Sequence, residues 1–109
     1  MDDASASLAL AALGHEARLK VFRLLVRAGP DGLNIGQIGH HLALPASTLA
    51  HHLSALVAAG LVTQERRGRA VMNRANYTAM NALLGFIESE CCHGLIDDEC
   101  LALDKETAA

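Results

Sequence analysis

The amino-acid sequence predicts a mainly α-helical domain with a small β-hairpin, built from about five helices and two strands. Apolar residues recur at helical spacing through most of the 109 residues. Pro45 separates two of the helical stretches with a break of only a few residues. From residue 62 to residue 75 the pattern changes to two short strand-like segments around a glycine. We therefore expect one folded domain over residues 1–94, followed by an acidic tail over residues 95–109.

The composition indicates an aliphatic core with apolar surface to spare. Hydrophobic residues make up 51% of the chain and aromatic residues only 3%. A chain of this size buries roughly two-thirds of its unfolded surface, so we expect some apolar surface to meet a partner. The sequence has neither a signal peptide nor an apolar run of the ~18 residues that a membrane span needs. We therefore expect a cytoplasmic protein with reduced cysteines.

The first two helices are predicted over residues 3–13 and about 15–28. The first is too short to be stable alone, and we expect it to pack on a second subunit. Its apolar residues are Leu8, Leu10 and Leu13. The buried stripe predicted for the second helix is Leu19, Phe22 and Val26, broadened by Leu24 and Leu25.

The next two helices are predicted over residues 35–43 and 46–59. Asn34 is a favourable N-cap for the first, and Gln37 follows at the spacing of a capping box. The buried stripe predicted for the second is Leu49, Leu53, Leu56 and Val57, and Gly60 is placed to end it. The opposite face carries hydrogen-bonding side chains, namely Ser47, Thr48, His51, His52 and Ser54.

This helix pair is typical of a helix-turn-helix, in which the second helix enters the major groove of DNA. Small helical domains that do not bind DNA can show the same pattern. His51 and His52 are adjacent and lie about 100° apart on a helix, so we expect one to meet DNA and the other a backbone or protein group. Adjacent histidines also lack the spacing by which two side chains share a metal ion.

The segment after this pair predicts a basic β-hairpin. Its strands are expected over residues 62–66 and 70–75, with a turn at Arg67-Gly68. Arg66, Arg67 and Arg69 crowd its tip. A basic hairpin directly after a recognition helix predicts a winged helix-turn-helix, with the wing along the phosphate backbone.

The charge is divided along the chain, which has a net charge of −3. Residues 4–74 hold eight Lys or Arg and three acids, which gives +5. Residues 75–109 hold one Lys and seven acids, which gives −6, and two aspartates near the start supply the remaining −2. Because binding depends on the local field, the negative total does not exclude nucleic acid.

The last helix is predicted from Tyr77 to Cys92, with Asn76 as its cap. Its apolar stripe is Met80, Leu83, Leu84, Ile87 and Cys91. This stripe is explained equally by packing inside the monomer and by contact with another subunit.

Three segments resemble the ArsR family of bacterial repressors that sense arsenic or metals: LGHEARLKVFRLL, LPASTLAHHLSALVAAGLV and RRGRAVMNRA. The resemblance covers residues 8–94. It implies a homodimer, joined through the first and last helices, that binds double-stranded operator DNA at an inverted repeat. The chain departs from the family pattern at Ala46, Ala50 and Ser54, where members often have Gln, Ser and Lys. The two-cysteine motif that members often carry before the recognition helix is also absent.

All three cysteines lie near the C-terminus, at Cys91, Cys92 and Cys100. Three thiols suit a soft, thiophilic centre. Similar cysteines in some members of the family imply trivalent arsenic, as arsenite or methylarsenite, as the effector that releases DNA. Zinc held by the same cysteines with His93 is an alternative, and so are a thiol redox sensor and a DNA-binding protein without an effector. The flanking carboxylates disfavour a reactive thiolate, so we do not expect an enzyme.

Overall fold

The computed structural model describes residues 1–95, so Cys100 and the rest of the predicted tail lie outside the described residues. The elements in this part of the chain are α1 (Asp3–Leu13), α2 (Glu16–Ala28), α3 (Ile35–Leu42), α4 (Ala46–Ala58), β1 (Val62–Arg67), β2 (Ala70–Ala75) and α5 (Tyr77–Glu88). This confirms the predicted order of five helices with a two-stranded hairpin between the fourth and fifth.

Asn34 and Pro45 precede α3 and α4, as the sequence predicts. The Oδ1 atom of Asn34 accepts from the backbone N–H of Gln37 at 2.9 Å, and the Gln37 side chain accepts from the Asn34 N–H at 2.9 Å. These reciprocal bonds satisfy two N–H groups that the first turn leaves without helical partners. Ala43 ends α3 in the left-handed region, with φ of 54°. Pro45 then precedes α4 in an extended conformation.

Hydrogen bonds at the end of α4 fix the base of the hairpin. Gly60, at φ of 78°, donates to the Val57 carbonyl at 2.9 Å, and Leu61 donates to the Leu56 carbonyl at 3.0 Å. This pair of bonds ends a helix at a left-handed residue. Asn76, the residue after β2, is bonded to the same segment, because its backbone N–H donates to the Leu61 carbonyl at 2.8 Å.

The two strands pair antiparallel from Val62↔Ala75 to Arg67↔Ala70. The turn is therefore Gly68-Arg69, one residue later than predicted, and β1 extends through Arg67. Gly68 has φ of 62°, a conformation that glycine adopts without steric cost.

The core lies between α2 and the helices around it, and it differs from the predicted stripes by single residues. Val21, Phe22 and Leu25 are buried on α2, whereas Leu19, predicted to be buried, is 41% exposed. On α4, Val57 is 37% exposed. Both predictions were wrong because several apolar residues lie side by side on these helices, and the packing of neighbouring helices decides which of them face inward.

Helix α1 packs on the domain through its alanines and leaves two of its leucines exposed. The alanines Ala6, Ala9 and Ala12 are buried against the rest of the domain. Leu8 and Leu10 are 56% and 47% exposed. The small side chains let the helix approach its neighbours closely, so the leucines are left on the outer surface.

Helix α5 is shorter than predicted and ends at Glu88. The Ser89 hydroxyl donates to the Phe86 carbonyl at 2.6 Å, and the chain after it runs in turns. Of the predicted stripe, Leu83 is buried, whereas Leu84 and Ile87 are 52% and 55% exposed. The remaining members of the stripe are Met80, which is half-buried, and Cys91, which is exposed.

Within residues 1–95, every helix is too short or too polar to cross a membrane.

The alanine face of α1 can be tested by one substitution made at two positions. Ala9 is 1% exposed, and Ala11 on the same helix is exposed. Ala9→Leu should lower the free energy of unfolding by about 1–3 kcal/mol, because the added atoms have no space. Ala11→Leu is the matched control and should change stability by less than about 0.5 kcal/mol. Urea unfolding of both variants makes the comparison, and equal effects would show that the alanine face is not closely packed.

Candidate functional site

The face of α4 that was predicted to contact DNA is largely open to solvent. Ser47, His51 and Ser54 are exposed, and Thr48 is half-buried. Pro45 makes no side-chain capping bond at the start of the helix. The N–H groups of the first turn therefore remain available to an acceptor such as a phosphate oxygen.

His52 corrects the predicted set, because the structure places it inside the domain. Its side chain is 6% exposed, and its ring lies 5.0 Å from that of His15, measured between centroids. The Nδ1 atom of His52 has no hydrogen-bond partner. Burial lowers the pKa of His52, and the nearby His15, Arg18 and His51 lower it further. Of the two adjacent histidines, only His51 is exposed toward solvent.

The arginines at the tip of the wing are all exposed, but they are not equivalent. The Arg67 guanidinium lies 3.6 Å from the Glu65 carboxylate, which also pairs with Arg74 at 3.4 Å. Arg66 and Arg69 form no ion pair with any of residues 1–95. Their charge is therefore the least compensated on the wing.

The structure brings the polar face of α4 and the wing together across a groove of about 610 Å³, in which Ser54 and Arg69 are among the lining residues. Gln64 and Asn73 also line it, and the Gln64 Nε2 donates to the Asn73 Oδ1 at 2.8 Å. Asn73 is 2% exposed and donates to the Leu33 carbonyl at 3.2 Å. These bonds hold β2 to the segment before α3, so the wall of the groove is tied to the helix pair.

Sequence reasoning missed Asn73 and Gln64, together with the partners of His52. Alternation along β2 could have indicated that Asn73 faces inward. Nothing in the local sequence connects His15 to His52, which lie 37 positions apart and meet only because α2 packs on α4.

Cys91 and Cys92 form the described part of the predicted thiol site. Both are exposed free thiols, and their Sγ atoms are 3.5 Å apart. They follow α5 in a turn, and the left-handed backbone at Cys92, with φ of 61°, lets adjacent side chains converge. Two thiolates held tetrahedrally at about 2.3 Å from one metal are about 3.8 Å apart. The spacing therefore fits a shared thiophilic ion.

The other predicted ligands of this site are His93 and Cys100. His93 is exposed beside the pair, and Cys100 lies outside the described residues. Residues 1–95 contain no cluster of three or more His, Cys, Asp or Glu side chains arranged to hold a metal. The three-cysteine site remains a prediction.

A helix pair followed by a hairpin with uncompensated arginines is the architecture of a winged helix-turn-helix protein. A family model described as a helix-turn-helix domain matches residues 13–65. No curated protein sequence gives a significant match.

Solved structures are similar over most of the chain. An ArsR-like transcriptional regulator from Rhodococcus sp. RHA1 is 28% identical, with a TM-score of 0.76, covering 96% of this chain and 93% of that one. Reduced HlyU from Vibrio cholerae is also 28% identical, with a TM-score of 0.63 and coverage of 82% and 90%. A possible transcriptional regulator for arsenical resistance shares the fold at 24% identity, with a TM-score of 0.64 and coverage of 89% and 93%.

The chain has a winged helix-turn-helix fold, and it is similar to an ArsR-like transcriptional regulator of known structure. The neighbour from Rhodococcus sp. RHA1 is described as a transcriptional regulator, which agrees with the DNA-binding role that the sequence predicts.

Proposed function

We propose that the protein is a homodimeric repressor that binds operator DNA through α4 and the wing, and releases it when trivalent arsenic binds its C-terminal cysteines. The observation that carries the sensing part is the 3.5 Å approach of the Cys91 and Cys92 sulfurs on an exposed turn. The DNA-binding part is supported by the open polar face of α4 beside uncompensated arginines.

In the proposed complex α4 lies in the major groove and the wing follows the phosphates. Ser47, Thr48, His51 and Ser54 are the side chains that can reach base edges or nearby phosphates. Arg66, Arg67 and Arg69 supply the sequence-independent attraction to the backbone. His52 drops out of this set because it is buried.

The exposed apolar residues of α1 and α5 support a dimer. These two helices pack on each other, and both leave large side chains in solvent, namely Leu8, Leu10, Leu84 and Ile87. Apolar surface concentrated in this way is typical of an interface. A two-fold axis through it would present the two copies of α4 to half-sites about 34 Å apart, on an inverted repeat.

The cysteines fit trivalent arsenic because it is held in proteins by covalent bonds to thiol sulfurs. Cys91 and Cys92 offer two, and Cys100 is the proposed third. Methylarsenite would need only the first two, so Cys100 could be dispensable for it. The pair follows directly after α5, so a change in the chain there is well placed to alter how α5 packs at the proposed interface.

Two other effectors use the same residues. Zinc could be held by the three cysteines with His93, a complete tetrahedral set. A thiol redox sensor would use the same two exposed sulfurs, and a disulfide between them would be strained because the Cα atoms of adjacent residues are only about 3.8 Å apart. Each alternative gives a different response in the titration described below.

The wing can be tested through the salt dependence of DNA binding. Arg69→Ala should weaken binding to operator and unrelated DNA alike, and should reduce the slope of log affinity against log salt by about one unit. Arg23→Ala is the control, because it removes the same charge from α2, on the side that faces α5. An equal change in slope in both variants would indicate an effect of net charge and would remove the wing from the interface.

The dimer can be tested by placing a charge on its proposed surface. Leu84→Glu should shift the protein from dimer to monomer in sedimentation at micromolar concentration, because the carboxylate would lose its water in the interface. Val71→Glu, at a 36% exposed valine of the wing, is the matched control and should stay dimeric. A wild-type protein that binds DNA as a monomer would contradict the proposal.

The sensor can be tested by DNA-release titrations with arsenite, zinc and a mild oxidant on the wild type and on Cys91→Ser, Cys92→Ser, Cys100→Ser and His93→Ala. Arsenite should weaken wild-type binding about 5- to 150-fold, which corresponds to a coupling of about 1–3 kcal/mol. Cys91→Ser or Cys92→Ser should still bind DNA but no longer respond.

The remaining variants separate the effectors. Dependence on His93 with a response to zinc alone would identify the zinc sensor. Release by the oxidant alone would identify the redox sensor. If arsenite still releases DNA after both Cys91 and Cys92 are replaced, the site lies elsewhere.

A further inference from the structure

A pair of imidazoles joins the recognition helix to α2. His52 is on α4, His15 is the N-cap of α2, and their ring centroids are 5.0 Å apart with planes tilted by 48°. His52 is almost fully buried in this contact, although the residue before it is exposed on the proposed DNA-facing surface. The orientation of α4 is therefore linked to the state of a buried titratable side chain.

The site around His52 accepts an uncharged imidazole and opposes a charged one. A protonated ring carries two N–H donors, and the Nδ1 atom of His52 is buried without an acceptor. The groups that act on it within residues 1–95 are His15 and Arg18 from α2 and His51 from α4, and all three are bases. Helices α1 and α3 and strand β1 also pack on α4 and add no further charge acting on the ring. The Arg18 Nε is also buried without a partner.

His15, the other ring of the pair, is fixed at the start of α2 by a backbone contact. Its Nδ1 atom accepts a hydrogen bond from the backbone N–H of Ala17 at 3.2 Å, which caps the first turn of α2. The ring against which His52 packs is therefore held at a defined position, and a charge on His52 would be introduced between α2 and α4.

We propose that His15 and His52 form a pH-sensitive latch that positions the recognition helix. In the neutral state the two rings pack together and hold α4 on α2. Protonation loosens this contact and weakens DNA binding. The effect on DNA rests on the function proposed above, whereas the latch itself is a property of the fold and can be measured without DNA.

The direction of the pH effect follows from the environment of His52. Its pKa is lowered below the ordinary value of 6.5, mainly by burial, so the folded state binds this proton less readily than the unfolded chain. The stabilisation is complete above about pH 6.5 and is lost as the pH falls below it. Over this range the unfolding equilibrium constant should rise by up to about tenfold per pH unit because of His52.

The latch can be tested by urea unfolding at about pH 7.5 and about pH 5.5. His52→Gln removes the titrating ring from α4, and His15→Asn keeps a capping oxygen that does not titrate in this range. His40→Gln is the control, because His40 is exposed on α3. The wild type and the control should lose stability in acid. Each latch variant should lose less, and the double variant should lose least.

A second measurement does not depend on any variant folding. The His52 ring resonance in the wild type should titrate with a midpoint below 6.5, the ordinary value. A midpoint at or above that value, or equal acid sensitivity in the wild type and the double variant, would overturn the latch.

The link to DNA has its own comparison. At constant ionic strength, lowering the pH should weaken operator binding more in the wild type than in His52→Gln. His51→Gln controls for the neighbouring exposed ring and should keep the wild-type loss. If the stability data support the latch but no variant or wild-type protein binds DNA, the proposed function fails and the latch stands. If DNA is bound and His52→Gln follows the wild-type pH profile, the latch does not position α4 for binding.

Discussion

Asn76 closes the base of the wing, and the geometry of the whole candidate interface depends on it. Its backbone N–H donates to the Leu61 carbonyl, and its Nδ2 donates to the Gly60 carbonyl at 3.0 Å. Its Oδ1 accepts from the Ala79 N–H at 3.1 Å and so caps α5. One residue therefore connects the segment between α4 and β1 with the end of β2 and the start of α5. Because the hairpin leaves α4 at a fixed point, the arginines at its tip keep a defined position beside the recognition helix.

The apolar residues of the chain fall into two groups, one buried in the core and one exposed on the surface. Alanines on α1 and a few large residues on α2 and α4 fill the interior of the monomer. Large leucines and an isoleucine on α1 and α5 remain exposed within residues 1–95. Tyr77 adds a polar link between the layers, because its hydroxyl donates to the Val26 carbonyl at 3.2 Å. A stable monomer and a surface suited to self-association are thus compatible within 109 residues.

The order and approximate bounds of the helices and strands are predictable from the sequence, because the signals for them are local. Asn34 and Asn76 cap the helices that follow them, Pro45 separates α3 from α4, and Gly60 ends α4. Each of these depends on the conformational preferences or hydrogen-bonding atoms of a residue and its near neighbours. The basic tip of the hairpin and the clustering of the cysteines were also readable, since both are features of position along the chain.

Which side of each helix is buried, and which distant groups meet, depends on the packing of the helices on one another. Helical periodicity defines a face to within about one residue in each direction, so it could not choose between Leu19 and Val21, or between Val57 and His52. Packing of α2 on α4 made that choice and brought His15 against His52. The convergence of the Cys91 and Cys92 sulfurs likewise required α5 to end at Glu88 and the backbone to turn through a left-handed residue. Adjacent side chains would have pointed about 100° apart on a continued helix.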